Sequence, residues 1–528
     1  MDAGSFIAEL SSLIEPLMTE VNLSYWELNT TNSLTINTRY LNAKKNLLAV
    51  YADPVLFQRL KGLTSERSQS SNVQRQVDLL YCAFLTNQIP TELLEEMLAY
   101  ENEIETEFVN YRATLDGAFV SDNDLSQILA TTTDSNLARL AWESSKQIAE
   151  IVAPKLRRLV TLRNKAARLL GFKDFFILAL YVNEINLFDL FNLMQQVTRI
   201  TETPFTRYKH SLDQSLAAKF QLSAAELKPW HYSDPFFQEL PLTGLVNFAE
   251  YFQTDLLKVA DSYFTEIGLD PSAVLKRSDL WERPGKSQQA FCTDINQAGD
   301  VRILCNLRPN EYGMSTLLHE LGHGLYDLNH NPGLPYLLRT PAHILTTEAI
   351  AMMFSSLTKE PQWLKNYLQI PEKEIQNSLA ILQHEQATGE LVFMRWGLVF
   401  VNFEYQLYQN PDQNLTSLWW DLVAKYQKLT RPLERNQPDW AAKIHLGTAP
   451  VYYQNYILGS LAAAQIARFI KANISRNGSL VQNKAVGRYL AQNIFQPGAT
   501  LRWNRLLESA TGAPLTPFAF KDSLFVRS

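Results

Sequence analysis

Residues 310–329 read NEYGMSTLLHELGHGLYDLN, a helical stretch that carries His319-Glu320-Leu321-Gly322-His323. With 8 His and 54 acidic residues among 528 positions, an H-E-x-x-H pattern arises by chance roughly 0.01 times. Residues four apart on a helix lie within about 40° of each other, so both imidazoles face one point, where they can hold Zn²⁺. Glu320 follows the first histidine directly and can hydrogen-bond a water at such a metal, which makes it the candidate general base. The structural alternative for the isolated motif is a pair of satisfied histidines on a buried helix.

A catalytic zinc site takes a third protein ligand and keeps one position open. A third histidine in the continuation of the motif is absent, because Gly324-Leu325-Tyr326-Asp327-Leu328-Asn329 follows. Downstream, Thr346-Thr347-Glu348-Ala349-Ile350-Ala351-Met352-Met353-Phe354 embeds one acid in an apolar helix start, 25 residues past His323 (348 − 323). A carboxylate in such a helix needs a partner, and a metal supplies one. On its own Glu348 also reads as a first-turn acid favoured by the helix dipole. His330 and His343, in the intervening loop, are alternative third ligands.

Most of the remaining chain has helical periodicity. Residues 155–172 place Leu156, Leu159, Val160, Ala166, Ala167, Leu169 and Leu170 on one side, basic residues on the other as a solvated face, and Gly171 as a stop. Asp122-Asn123-Asp124 and Thr131-Thr132-Thr133-Asp134 read as helix starts. Residues 221–245, with Pro229, Pro235 and Pro241 among aromatic residues, read as an ordered loop. The one strand signal is a hairpin, Gln289–Ile295 and Val301–Leu307 around the loop Asn296–Asp300. A hairpin in a helical protein leaves an exposed edge.

Composition sets the outer bounds. With 46% hydrophobic residues, 10 Trp, 22 Tyr and 27 Phe, the chain can bury a large core and is not disordered. A net charge of −6 gives no nucleic-acid footprint and no polybasic membrane patch, and 3 cysteines exclude a disulfide scaffold. Met1 to Glu20 lacks Lys and Arg and has no signal-like apolar core, and no stretch reaches the ~18 apolar residues of a membrane span. The expectation is a cytoplasmic protein with no membrane, nucleic-acid or obligate protein partner.

The order of several short blocks resembles peptidyl-dipeptidase A, the angiotensin-converting enzyme family. Ser24-Tyr25-Trp26-Glu27-Leu28-Asn29-Thr30 is similar to the family's N-terminal helix and Arg163-Asn164-Lys165-Ala166-Ala167-Arg168 to its central helix. The H-E-x-x-H with Thr347-Glu348-Ala349-Ile350 resembles its zinc-ligand pair. Lys425-Tyr426-Gln427, Arg431-Pro432, Arg435-Asn436 and Ala442-Lys443-Ile444-His445 follow its downstream block. The resemblance implies a divergent, bacterial-type member. Its fold would be mainly α, a gluzincin-type domain over residues 1–528 whose two helical subdomains flank a deep central channel, with a small β-hairpin or sheet beside the H-E-x-x-H helix.

The same resemblance implies roles. One Zn²⁺ would be held by His319, His323 and Glu348, and Glu320 would act as general base. Tyr456 matches the oxyanion tyrosine, allowing a one-residue insertion after His445. His445 would hold the substrate backbone, and Lys443 with Tyr453 would grip its C-terminal carboxylate. The hairpin edge at Cys292 and Thr293 would pair with the peptide as an added strand. Cys292 and Cys305 fall where extracellular relatives carry a disulfide, and a cytosolic location would keep them reduced.

Three departures stand out. Asn455 replaces a chloride-binding Arg, Met352 replaces an Asp that orients a ligand histidine, and the Gln that helps bind the terminal carboxylate has no match at Trp230-His231-Tyr232. The expected function is zinc-dependent hydrolysis of short peptides with release of C-terminal dipeptides. The alternatives are an internally cleaving oligopeptidase like the thimet and oligoendopeptidase F group, and a silent peptide-binding relative.

Overall fold

A mainly helical chain is what the computed structural model contains over the residues it describes, 2–65, 70–241, 248–475 and 478–524. Its contacts divide it into two units. One comprises Met1–Gln88, Val246–Ala380 and Leu458–Phe520; the other comprises Ile89–Leu245, Ile381–Ile457 and Lys521–Ser528.

The first unit holds a three-stranded sheet in the order Asp279–Trp281, Val301–Leu307, Phe291–Asp294. The expected hairpin is present, with Cys292 opposite Ile303 and Asp294 opposite Val301, but its first strand starts at Phe291. The third strand, Asp279–Trp281, pairs parallel to the central one and was not foreseen, because three residues carry no readable period. Val301, Ile303, Leu304, Cys305 and Leu307 are all buried, since the central strand is covered on both faces. Phe291 and Leu304 face the N-terminal helix Ala3–Thr31 through Trp26. By alternation Cys292, Asp294, Ile303 and Cys305 face the other way, toward the helix Glu311–Leu328 that carries the motif. Asn22 Nδ2 donates to the carbonyls of Asp294 and Ile295 at 3.0 and 3.3 Å, tying the strand end to the N-terminal helix.

Cys292 and Cys305 are free thiols. They are diagonal neighbours on one sheet face, a placement of ~7–8 Å between α-carbons that exceeds disulfide reach.

In the second unit the helix Ile148–Leu169 ends before Gly171, whose φ of 88° is the left-handed conformation that stops helices. Ser121 and Asp134 cap the helices Asp122–Thr131 and Ser135–Lys146, close to the expected starts. The solvated basic face expected on Ile148–Leu169 fails at Arg163, which is buried. Its guanidinium donates to the carbonyls of Leu446 and Gly447 at 2.8 and 2.5 Å and to Glu101 at 2.7 Å, so its charge is spent on fixing the chain beside His445. A two-stranded hairpin, Ala113–Leu115 with Ala118–Val120, was also not foreseen. The Pro- and aromatic-rich segment forms short 3₁₀ turns at Ala224–Glu226 and Pro229–His231, and its residues 242–245 lie outside the described residues.

Candidate functional site

The motif helix starts at Asn310, whose side chain accepts from Gly313 N, and the helix Ile344–Ser355 is capped by His343, whose Nδ1 accepts from Leu345 N. The two helices pack closely at Gly322, where a Cβ would lie 2.8 Å from Ala351 Cα. That approach brings Glu348 to the histidines: His319 Nε2 lies 3.2 Å from His323 Nε2 and 3.8 Å from Glu348 Oε2. One donor atom from each of the three falls within 4.8 Å of the others, a spacing that fits one tetrahedral ion. His330 and His343 are not in this group: His343 is a cap, and His330 is buried against the Tyr326 ring.

The surroundings suit a metal. His323 Nδ1 is 2.7 Å from Thr347 Oγ1, which leaves Nε2 free for an ion. With Met352 in place of an orienting acid, the partner of His323 is Thr347, the residue just before Glu348. Burial pushes His319 down to about 4 and His323, with help from His319, to about 3, so both rings are neutral, as ligands must be. Glu320 is 6% exposed and its Oε2 has no hydrogen-bond partner. Burial, and then the charge of Glu348, pushes its carboxyl up to about 8. An orphaned buried carboxylate beside three convergent donors is the arrangement a dication relieves.

Cys292 and Thr293 lie on the edge strand, as expected. The Cys292 thiol is held far above its usual value by burial and by nearby carboxylates, so it is no nucleophile.

In the second unit Lys443, His445, Tyr453 and Tyr456 form their own cluster. Lys443 Nζ donates to Gln238 Oε1 at 2.7 Å and stands 5.5 Å from the ring centres of Phe236 and Trp396. Burial lowers the ammonium to about 8, against the pull of Asp234 and Glu239. Gln238 thus places an amide beside Lys443, and its separation of 205 residues left no local signal in the sequence. The Tyr453 hydroxyl accepts from Trp396 Nε1 at 2.6 Å, and its ring is 5.3 Å from both His445 and Tyr456. His445 is lowered to about 4 by burial and by Lys443, and its Nδ1 has no partner. The loop holding these groups turns at Val451, whose φ of 54° is strained for a β-branched residue. Glu404 Oε1 fixes that turn by accepting from Val451 N at 2.7 Å.

Among the described residues no single helix is long and apolar enough to cross a membrane. The family model described as angiotensin-converting enzyme, peptidase M2, matches residues 1–209 and 231–516. The chain is similar to the angiotensin-converting enzyme of Mus musculus, at 22% identity over 97% of this chain and 41% of the relative. It is also similar to the angiotensin-converting enzymes of Sus scrofa (23%, over 74% of this chain and 32% of the relative) and of Theromyzon tessulatum (24%, over 74% and 68%). The chain thus spans less than half the length of these mammalian relatives. With a match that takes in His319, His323 and Glu348 as well as the segment from Lys443 to Tyr456, the chain belongs to the angiotensin-converting enzyme family.

Proposed function

We propose that the chain is a zinc-dependent peptidase that shortens peptides from their C-terminus by dipeptides. The observation that carries this reading is the convergence of His319, His323 and Glu348 beside the orphaned carboxyl of Glu320. His319, His323 and Glu348 would hold the ion. Bound there, Zn²⁺ supplies Lewis acidity that makes water nucleophilic near neutral pH and favours the ionised form of Glu320. Glu320 takes the proton of the attacking water and passes it to the departing amine. Tyr456 and His445 donate hydrogen bonds to the carbonyl oxygen as it gains charge and to the substrate backbone. The edge strand at Cys292 and Thr293 pairs with the peptide backbone, which gives affinity without a side-chain requirement.

Release of dipeptides rests on Lys443, Gln238 and Tyr453 acting on the same peptide as the motif helix. A cation paired with a neutral amide donor fits a free carboxylate better than it fits a continuing chain. Product mapping by mass spectrometry on a short peptide tests it: successive loss of C-terminal dipeptides is expected, and a single internal cut would sink it. Amidating the C-terminus should lower kcat/KM by roughly 10–100-fold, the worth of a hydrogen-bonded charge.

A further inference from the structure

The turn that carries Gln238, in the second unit, is built around a buried acid that the proposed reaction does not use. Asp234 is 8% exposed and turns both carboxylate oxygens back on its own chain. Oδ1 accepts from Phe236 N at 2.7 Å and Gln238 N at 3.2 Å, and Oδ2 accepts from Gln238 N at 3.0 Å and Glu239 N at 3.1 Å. These amides flank Phe237, whose φ of 51° is left-handed and strained for a residue with a Cβ. Gln427 holds the same turn from its carbonyl side, donating from Nε2 to Phe236 O at 2.9 Å and to Phe237 O at 2.7 Å. Hydrogen bonds before and after Phe237 thus fix a conformation that the chain on its own would leave.

What the turn presents is the side chain of Gln238. Lys443 Nζ donates to its Oε1 at 2.7 Å, which leaves the N–H groups of the same amide as donors next to the ammonium. Phe236, on the same turn, has its ring centre 3.0 Å from Lys146 Nζ and 5.5 Å from Lys443 Nζ, so the turn also lines the ammonium with an aromatic ring. Asp234 makes no ion pair among the described residues. Its charge nevertheless heads those that keep Lys443 protonated against burial.

We propose that Asp234 is a positioning residue for specificity: by setting the turn that holds Gln238 against Lys443, it sets how strongly a free C-terminal carboxylate is preferred over its amide. This deepens the peptidase reading above and rests on it for the role of Lys443 and Gln238. Without the contacts of Asp234, Phe237 relaxes out of the left-handed region and Gln238 moves off Lys443. The ammonium then meets the carboxylate without the amide beside it. Such a loss falls on the grip on the free acid and leaves the rate of the bound peptide's chemistry in place.

Steady-state kinetics of the full-length chain on one short peptide, as free acid and as C-terminal amide, test this. Asp234→Asn keeps the size of the side chain but removes its charge and one acceptor oxygen. It should raise KM for the free acid about tenfold, hold kcat within about twofold and leave kcat/KM for the amide unchanged, so that the preference shrinks about tenfold. Gln427→Met unties only the carbonyl side of the turn and should shrink the preference about threefold, a readout that remains if Asp234→Asn does not fold. A purely structural role would slow both peptides alike. That result, or the wild-type preference kept in both variants, would overturn the assignment and leave the roles of Lys443 and Gln238 standing. Equal rates on acid and amide for the wild-type chain would instead sink those roles, and the assignment with them. The same two peptides titrated calorimetrically into Glu320→Gln give the answer without turnover. A preference for the acid that Asp234→Asn removes in that background supports the assignment. A preference that survives Asp234→Asn, or binding of neither peptide, would overturn it.

Discussion

Two glutamates, one in each unit, are pushed up to about 8 by burial: Glu320 on Glu311–Leu328 and Glu404 on Glu372–Gln409. Each has one carboxylate oxygen without a hydrogen-bond partner. Their neighbours separate them. Glu320 has two neutral imidazoles and a second carboxylate beside it, whereas Glu404 has the Val451 N–H and, more distantly, Arg163. A perturbed carboxyl is therefore a sign of burial first, and becomes a sign of chemistry only where groups that can recruit an ion or a substrate converge on it.

Changes that remove the convergence should have the largest effect. His323→Ala leaves two donors, so bound zinc measured by atomic absorption should fall well below one per chain and peptide hydrolysis should fall at least about 10³-fold. Retained activity in that variant would erase the distinction between the two glutamates. Next comes Tyr456→Phe, which removes the hydroxyl proposed above to donate to the developing oxyanion. A drop of about 10²–10³-fold in kcat with little change in KM is expected, and an unchanged kcat would remove the second unit from the reaction. Thr347→Val should weaken zinc affinity about 10–100-fold through the lost contact to His323 Nδ1. Competition against a zinc indicator reads it, and an unchanged affinity would mean the tautomer is fixed by other groups.

The smallest effect concerns Glu404. Between its unfolded value of ~4.3 and its folded value of about 8, the folded chain holds a proton that the unfolded chain has released. The stabilisation is thus complete below the lower value and is lost as pH rises through the upper one. Glu404→Gln keeps a side-chain oxygen for Val451 N and stays neutral. It should flatten the fall in stability over that window, by on the order of a few kcal/mol at pH 8. Thermal unfolding across pH, with zinc content unchanged, checks it; parallel profiles for the two proteins would refute the protonated state.

What the sequence revealed follows the same division. His319 and His323 were legible because helical spacing is written into the chain, Glu348 because a lone acid stands out in an apolar helix start and matches the resemblance, and the hairpin because its strands alternate and its turn is polar. The strand Asp279–Trp281 was too short to carry a period. Gln238, Thr347 and Arg163 were missed as functional partners because each acts through a tertiary contact: an amide across 205 residues, a hydroxyl on a neighbouring helix, and a guanidinium reaching loop carbonyls. The Lys443–Tyr456 loop was found through its resemblance alone. Nothing in its own pattern announces that Val451 turns left-handed or that Glu404 holds it there.

The central claim is that Glu320 does the proton transfer at a metal held by its neighbours. It is tested most directly by peptide hydrolysis with Glu320→Gln at full zinc occupancy. Zinc at one per chain with kcat reduced at least about 10²–10⁴-fold is the predicted result, as for loss of a general base. Wild-type turnover by that zinc-loaded variant would contradict it.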